Sequence, residues 1–258
     1  MFIKNHIKLD TVSSTNIYLR KLVKENLINV NTLVSTNFQE KGRGQGNNYW
    51  QSEENKNLLI SFLYNHPTNK YDIYKFNICI TLAVYDFLSK YFIKNLKIKW
   101  PNDLMVNDKK IGGILVNNIE SNFKSIIGIG ININQNKFDA FSPLATSFIN
   151  EKKKEFNINI LISELIKSLE NSFSNYSNIN DLKKNYLLKV YNFRKKTRFK
   201  YKNKEIFGKI IDINSTYVVE FYKERYDKHA IMYFEDGSYD FEILYEKDPD
   251  KSIYPASM

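Results

Sequence analysis

Cysteine, histidine and long apolar runs are scarce in this chain of 258 residues, and each scarcity excludes a class of protein. The single cysteine, Cys79, has no partner for an intrachain disulfide, which excludes a disulfide-stabilised fold. The three histidines, His6, His66 and His229, are spaced neither as zinc ligands nor as part of a catalytic triad. No apolar run approaches the roughly 20 residues that cross a bilayer, and the N-terminus lacks an apolar signal region. We therefore expect a cytoplasmic protein without a membrane segment, in which Cys79 is a buried core residue.

Positive charge exceeds negative charge, with 38 lysines and arginines against 28 aspartates and glutamates, a net charge of +10. A basic chain raises the hypothesis of nucleic-acid binding. The lysines are nevertheless spread along the chain, and only residues 152–154 and 194–196 form dense basic runs. Hydrophobic residues make up 43% of the chain, which is enough for a packed core. We expect a folded protein whose basic groups are mostly solvated.

Glycine is rare as well, yet three of the nine glycines alternate within one short segment, residues 39–50. Glycine lets backbone N–H groups approach a ligand closely, and Arg43 adds a permanent positive charge between the first two glycines. Extended apolar runs at residues 32–36 and 57–64 flank the segment, so a sheet could hold it in place. It matches neither the P-loop nor the dinucleotide-binding fingerprint. We predict an anion-binding loop, and the alternative is a mobile polar loop.

Hydrophobic periodicity predicts a first part built from strands and helices and a second part built from short strands. Strands are predicted at residues 2–9, 32–36, 57–64, 96–100, 104–106, 110–119 and 125–134, and helices at residues 17–23, 71–92, 158–176 and 179–193. Five short aromatic strands follow at residues 198–202, 205–213, 217–222, 229–234 and 238–245. Such a run is typical of a small barrel. We therefore predict two domains, residues 1–194 and residues 195–258.

Three consecutive small polar residues, Ser14, Thr15 and Asn16, precede the first predicted helix. One of them is expected to cap the helix N-terminus. Three such side chains exceed what a cap requires, so the surplus could line a polar pocket.

A second polar cluster is predicted where Lys99-Trp100-Pro101-Asn102-Asp103 joins two strands. Pro101 interrupts continuous pairing there, and the turn at residues 107–109 would fold the following strand back. A tight turn would place Asp103 close to Lys110 across the ladder. The pair is either a phosphate clamp or an exposed ion pair worth under about 1 kcal/mol, and the spacing alone favours neither.

Taken together, these stretches resemble the catalytic and C-terminal domains of biotin protein ligases. The matching residues, in family order, are Ser14-Thr15-Asn16, Gln39 with Gly42-Arg43-Gly44 and Trp50, Lys99-Trp100-Pro101-Asn102-Asp103, Lys110 with Gly113-Ile114-Leu115, Gly128-Ile129-Gly130-Ile131-Asn132, and Ala145-Thr146-Ser147. The resemblance implies an α+β fold, in which a mixed β-sheet of the class II synthetase-like type is flanked by helices. It also implies a C-terminal SH3-like β-barrel.

The same resemblance implies a two-step reaction. Biotin would react with ATP, in the presence of Mg²⁺, to give biotinyl-adenylate and pyrophosphate, and a lysine of a biotin carboxyl carrier domain would then take the biotin. The polar motif begins at residue 14, which leaves no room for the N-terminal DNA-binding domain of some relatives. The resemblance thus implies a ligase that does not bind DNA, and a homodimer formed through the sheet.

Residue roles also follow from the resemblance. The implied biotin-binding residues are Ser14, Thr15, Asn16, Gln39, Gly42, Arg43, Gly44, Gln45, Lys110 and Gly113. The implied nucleotide-binding residues are Arg43, Trp50, Asn102, Lys110 and Asn132, and the implied catalytic residues are Lys110, Arg43 and Asp103. Mg²⁺ would be carried mainly by ATP, with Asp103 as a further ligand or as the residue that orients Lys110. Many relatives have more basic residues in the glycine segment, where this chain has Gln45 and Asn48, so Arg43 carries more of the charge.

Two other functions compete with this assignment. A lipoate or octanoate protein ligase would share the general fold and a carrier lysine, but an acyl chain has no ureido ring to satisfy polar side chains. A basic nucleic-acid-binding protein would use the lysines and tyrosines of the C-terminal strands. The polar Ser14–Asn16 motif and the Gly42–Gly44 segment favour biotin.

Overall fold

Seven strands in the first part of the chain form a mixed sheet, as the sequence predicts. The computed structural model describes residues 3–46, 48–66, 72–92, 94–119, 123–139, 145–174, 179–201, 204–208, 210–213, 219–223, 228–232 and 241–243. The first nine strands are β1 (Asn5–Val12), β2 (Thr32–Gln39), β3 (Gly42–Arg43), β4 (Tyr49–Trp50), β5 (Asn57–Asn65), β6 (Leu96–Lys99), β7 (Asp103–Val106), β8 (Lys109–Ile119) and β9 (Lys124–Asn132). The sheet order is β1-β2-β5-β9-β8-β7-β6, and β3 pairs with β4 in a separate ribbon. Strands β1 and β2 run parallel, while the other sheet neighbours are antiparallel.

The described residues also form five helices. They are α1 (Thr15–Lys24), α2 (Ile73–Ser89), α3 (Phe148–Lys152), α4 (Ile158–Ser174) and α5 (Ile179–Lys189). Helix α4 begins where the Asn157 side chain accepts hydrogen bonds from the backbone N–H groups of Asn159 and Ile160. Helix α3 was not predicted, because five residues are too few to show a helical period. No helix within the described ranges is long and apolar enough to span a bilayer.

The chain divides into two compact units. The first unit comprises Met1–Asp72 and Cys79–Ser177, and the second comprises Ile73–Ile78 and Asn178–Met258. The second unit contains α5 and the strands β10 (Thr197–Tyr201), β11 (Lys204–Gly208), β12 (Ile210–Ile213), β13 (Val219–Lys223), β14 (Lys228–Met232) and β15 (Phe241–Ile243). They form two three-stranded sheets, in the orders β11-β10-β15 and β12-β13-β14. The domain division at residue 194 remains a prediction, and α5 groups with the residues that follow it.

A buried apolar cluster holds α1 against the central strands. Leu19 and Val23 of α1 pack with Val34, Leu63 and Ile126 in a buried cluster on one face. Each fully buried aliphatic side chain of this kind contributes about 1.5–3 kcal/mol by leaving water. The polar residues of α1 that precede this cluster are therefore held against the same face of the sheet. Cys79 is fully buried, which confirms the prediction that it lies in the core.

A half-buried histidine directly after β5, His66, should make folding stability depend on pH. Burial lowers the pKa of His66 from 6.5 to about 4, and its Nε2 lies 2.7 Å from Ser125 Oγ. Between these two pH values the unfolded chain binds a proton that the folded chain does not. The stabilisation is therefore present above pH 6.5 and is lost as the pH falls towards 4.

We expect the H66Q variant to show a shallower dependence of the unfolding free energy on pH in this window, measured by urea denaturation. Some dependence should remain, because burial also lowers the pKa of His6. Equal slopes for the variant and the wild-type protein would contradict this expectation.

Candidate active site

A tight turn and a bulge bring Asp103 and Lys110 together. Asn107 and Asp108 have φ angles of 49° and 60°, so the turn has two residues in the left-handed region, and Lys109 already belongs to β8. Asp103 pairs with Gly113, whereas Met105 pairs with Lys110, because the register shifts between them. Lys110 Nζ lies 2.7 Å from Asp103 Oδ1. The prediction that the two side chains meet across the ladder is confirmed.

The environment of this ion pair leaves the lysine accessible. The Lys110 side chain is 36% exposed and that of Asp103 is 22% exposed. A pair of this exposure contributes at most about 1 kcal/mol to stability. Gly113 lies beneath the pair, since a Cβ there would be 3.4 Å from both Asp103 Oδ1 and Lys110 Cε. The strand thus presents a cation above a surface without side chains.

Thr15 is the centre of a buried polar cluster at the start of α1. Its backbone N–H and its hydroxyl both donate to Gln39 Oε1, at 2.8 and 2.9 Å. Its Oγ1 also lies 2.8 Å from Ser61 Oγ. Sequence analysis missed Ser61, because a single serine within an apolar strand gives no sign of the face on which it lies.

The two residues beside Thr15 keep unused hydrogen-bonding capacity. Ser14 is buried and occupies the N-cap position, yet its side chain makes no capping hydrogen bond. Asn16 Oδ1 accepts from Asn117 Nδ2 at 2.9 Å, whereas Asn16 Nδ2 is buried without a partner. The interpretation of the motif as surplus polar side chains is therefore favoured over helix capping. Asn117 was also missed by sequence analysis.

The glycine segment is a short ribbon and not an open loop, which corrects the sequence prediction. Gly42 pairs with Trp50, and Arg43 pairs with Tyr49. The Gly44 N–H donates to Asn48 O at 2.8 Å, so that this amide is not free to bind an anion. Gly42 is essential to the arrangement, since a Cβ there would lie 2.5 Å from Trp50 O and 2.9 Å from Gln39 Nε2. Asn47 lies outside the described residues.

Three further residues of the segment, Arg43, Gly46 and Asn48, make few side-chain contacts within the described part of the chain. Arg43 is exposed, and its guanidinium carbon lies 5.7 Å from the centroid of the Tyr49 ring. Asn48 donates its N–H to Gln45 O at 3.1 Å. Gly46 has a φ of 58°, a conformation that glycine adopts without strain. The ribbon therefore presents Arg43 at the protein surface.

Trp50 links the two polar clusters. Its indole ring lies directly on Gly130, where a Cβ would be 2.6 Å from Cε2, and near Gly113, where a Cβ would be 3.3 Å from Cζ3. Lys110 Nζ lies 5.6 Å from the centroid of the ring. The indole Nε1 is buried without a partner. The Trp50 ring therefore approaches Gly130 and Gly113 closely.

Asn102 and Asn132 use their amide nitrogens to hold the surrounding backbone. Asn102 Nδ2 donates to Ile114 O, and the Ile114 N–H donates to Asn102 O at 3.0 Å. Asn132 Nδ2 donates to Thr146 O at 2.9 Å, and the Thr146 N–H donates to Lys110 O at 2.8 Å. Both asparagines therefore support the strand that carries Lys110. Their nucleotide-binding roles remain predictions.

Many of the predicted site residues lie together in two clusters, whereas others lie apart from them. Thr15, Asn16, Gln39 and Ser61 form one cluster, and Asp103, Lys110, Gly113 and Trp50 form the other, with Gly42 between Gln39 and Trp50. Arg43 contacts Tyr49 rather than either cluster. Among the described residues, no group of three His, Cys, Asp or Glu side chains could hold a metal ion. The site thus combines a buried polar cluster with a nearby accessible cation.

This site lies within the part of the chain that matches a known family. Residues 9–134, which include all the predicted site residues, match the model of the biotin/lipoate A/B protein ligase family. This part of the chain is therefore similar to that family.

Individual relatives agree with the assignment. The bifunctional ligase/repressor BirA of Bacillus subtilis is 30% identical over 173 residues, which cover 65% of this chain and 53% of that protein. The biotin–protein ligase of Homo sapiens is 30% identical over 145 residues, 51% of this chain and 20% of that protein. The chain thus spans about half the length of the Bacillus relative, and less of the human one. The biotin protein ligase of Aquifex aeolicus, solved with biotin and ATP, has a TM-score of 0.76 at 23% identity over 94% of this chain and all of that chain, which shows the shared fold.

Proposed function

We propose that this protein is a biotin–protein ligase, which activates biotin with ATP to biotinyl-5′-AMP and transfers it to a lysine of a biotin carboxyl carrier domain. One observation carries the proposal. A buried polar pocket around Thr15 adjoins, through Gly42 and Trp50, the accessible cation of Lys110. The ureido ring of biotin needs the polar side chains around Thr15. A carboxylate that reacts with a phosphate needs the cation of Lys110. Both biotin and ATP are bound by the Aquifex relative.

In the first step the two reactants are both negatively charged, so a cation must lie where they meet. A carboxylate oxygen of biotin attacks the α-phosphorus, a new O–P bond forms, and the bond to the β-phosphate breaks to release pyrophosphate. Lys110 stabilises the negative charge that develops on the α-phosphate, and Asp103 keeps its ammonium group in position. Arg43 at the surface of the ribbon adds a second cation. No protein nucleophile is required, because the protein acts by positioning and by charge.

In the second step the neutral amine of the carrier lysine attacks the carbonyl carbon of the mixed anhydride. The new amide bond forms as the bond to the phosphate oxygen breaks, AMP leaves, and the amine proton passes to solvent. Lys110 stabilises the departing phosphate by the same contact. The exposure of Lys110 leaves room for an incoming carrier domain.

Mg²⁺ fits this site as a companion of ATP and not as an ion held by a protein cluster. Asp103 is the carboxylate that pairs with Lys110, and it is engaged by that lysine. We propose that the phosphates supply most of the ligands, with Asp103 as an additional one, as hard cations prefer oxygen. The ion would neutralise phosphate charge during the displacement.

Further features of the proposal come from the family resemblance and from the sequence. We propose that the strands after residue 194 form an SH3-like domain, separate from a catalytic domain of residues 1–194. We also propose that the enzyme acts in the cytoplasm, as the single cysteine suggests, and that it works as a homodimer.

Exchange of labelled pyrophosphate into ATP tests the proposal. We expect exchange only when biotin is present, because adenylation of biotin is the step that releases pyrophosphate reversibly. Octanoate and lipoate are the controls, since neither carries a ureido ring for the pocket around Thr15. Exchange driven equally well by octanoate or lipoate would assign the protein to acyl ligation instead. Salt-sensitive binding of DNA or RNA without any exchange would favour a nucleic-acid-binding function.

A further inference from the structure

We propose that Asn117 is a positioning residue that sets the hydrogen-bonding polarity of the buried pocket. By donating to Asn16 Oδ1, Asn117 holds the Asn16 amide so that Nδ2 is left for a ligand. The pocket then offers a donor to the carbonyl oxygen of a cyclic urea. This inference rests on the proposed function, because biotin is the substrate that carries such a group.

The unused donor is the first argument. Asn16 is 7% exposed, and its Nδ2 is buried without a partner. A buried donor without an acceptor is costly and rare in folded proteins, so such a group often belongs to a binding site. The other end of the same amide is occupied by Asn117 at 2.9 Å. The amide oxygen of Asn16 therefore has a hydrogen-bond partner, and its amide nitrogen has none.

Gly128 lies beside this donor and places no side chain against it. A Cβ at Gly128 would lie 3.4 Å from Asn16 Nδ2 and 3.4 Å from Ser61 Oγ. The two polar atoms thus lie on either side of the Gly128 Cα–H, and Leu115 Cβ lies 3.7 Å from the same point. Ser61 Oγ keeps lone pairs that can accept a hydrogen bond. A donor and an acceptor side by side match the adjacent C=O and N–H of a urea.

The hydrogen bonds around Thr15 establish which way the neighbouring groups point. Thr15 has one hydroxyl hydrogen, which goes to Gln39 Oε1, so Ser61 must donate its own hydrogen to Thr15 Oγ1. Gln39 Oε1 accepts twice from Thr15, which directs Gln39 Nε2 away from that residue. The amide oxygens of both Asn16 and Gln39 are therefore engaged within the protein. Their amide nitrogens remain as donors.

Rotation of the Asn16 amide would reverse this arrangement. Oδ1 would then face the volume beside Gly128, where Ser61 Oγ already supplies an acceptor. Nδ2 would meet Asn117 Nδ2, a donor without a lone pair, so the Asn117 amide would have to turn over as well. Asn117 thus opposes the orientation that would repel a urea carbonyl.

The test is the N117D variant with two ligands, biotin and 2-iminobiotin. A carboxylate at residue 117 accepts but does not donate, so it should draw Asn16 Nδ2 towards itself and turn Oδ1 into the pocket. Protonated 2-iminobiotin carries an N–H donor where biotin has its carbonyl oxygen. We expect the wild-type protein to prefer biotin, and the variant to lose at least about tenfold in that preference ratio, measured by titration calorimetry.

The N118D variant is the matched control. Asn118 is the next residue of the same strand, and its Oδ1 already accepts from Ser125 Oγ, so an aspartate there keeps that role. N118D adds the same charge and should leave the preference ratio unchanged. In pyrophosphate exchange, N117D should raise the KM for biotin about tenfold or more and change kcat by less than about twofold, since the reacting groups are untouched.

Each outcome decides whether Asn117 is a positioning residue or only a structural one. Equal weakening of both ligands by N117D would show a structural role and overturn the proposal, as would an unchanged ratio. Rescue of 2-iminobiotin binding relative to biotin would support it. If the wild-type protein binds no biotin, the proposed function itself fails. If the wild-type protein binds biotin and N117D leaves the preference for biotin over 2-iminobiotin unchanged, only the proposed role of Asn117 is wrong.

Discussion

The K110A variant is expected to exchange pyrophosphate at a rate about 10²–10³-fold below that of the wild-type protein. Lys110 is the cation that lies beside Trp50 and Asp103, where the α-phosphate and the biotin carboxylate are proposed to meet. Its removal leaves negative charge on the transition state without compensation. The loss should appear in kcat as well as in kcat/KM, because this charge develops only during the displacement.

The K109A variant is the control, since Lys109 is the adjacent, exposed residue at the start of β8. It removes the same charge from the same hairpin and should retain nearly full activity. The fold of K110A should persist, because the ion pair with Asp103 is partly exposed and contributes little to stability. An unchanged rate in K110A, with thermal unfolding also unchanged, would remove Lys110 from the site.

The G130A and G128A variants should each impair the enzyme strongly, but towards different substrates. A Cβ at Gly130 would lie 2.6–2.9 Å from three carbons of the Trp50 indole, a rigid ring that would have to move. We expect G130A to raise the KM for ATP about tenfold or more, because the ring beside Lys110 is displaced. We expect G128A to raise the KM for biotin by a similar factor, since its Cβ would fill the volume between Asn16 Nδ2 and Ser61 Oγ.

Steady-state exchange assays that vary one substrate at a time would separate the two effects. Each variant serves as the control for the other, because both add a methyl group to the same face of β9, two residues apart. G128A should also keep its unfolding temperature, as a contact of 3.4 Å is an ordinary van der Waals distance. A rise in the KM of the same substrate for both variants would contradict the separation of the two clusters.

Local sequence patterns predicted the strands and helices of the first unit well. The hairpin that joins Asp103 to Lys110 could be predicted because Asn107 and Asp108 tolerate positive φ angles in a short turn. The buried Cys79 followed in the same way from its apolar neighbours. Such features depend on residues close in sequence, so their physical causes are visible in the sequence.

The ribbon of residues 42–50 shows where this reasoning fails. Alternating glycines predicted free N–H groups, but the Gly44 N–H is taken by Asn48 O. Gly42 is required because Gln39 and the Trp50 backbone crowd it, and not because an anion does. A glycine indicates that something approaches closely, and the sequence does not say what that group is.

The sequence by itself determined the family motifs, the strand that carries Lys110 and the polar start of α1. The tertiary structure alone decided that Ser61 and Asn117 join Thr15 and Asn16, from strands 46 and 101 residues away along the chain. It also decided that the Asn16 amide keeps a free donor and that Trp50 lies on Gly130. The reason is physical. A hydrogen-bond partner is selected by which faces of the sheet and helix meet, and that pairing arises only when the strands are aligned in their final register.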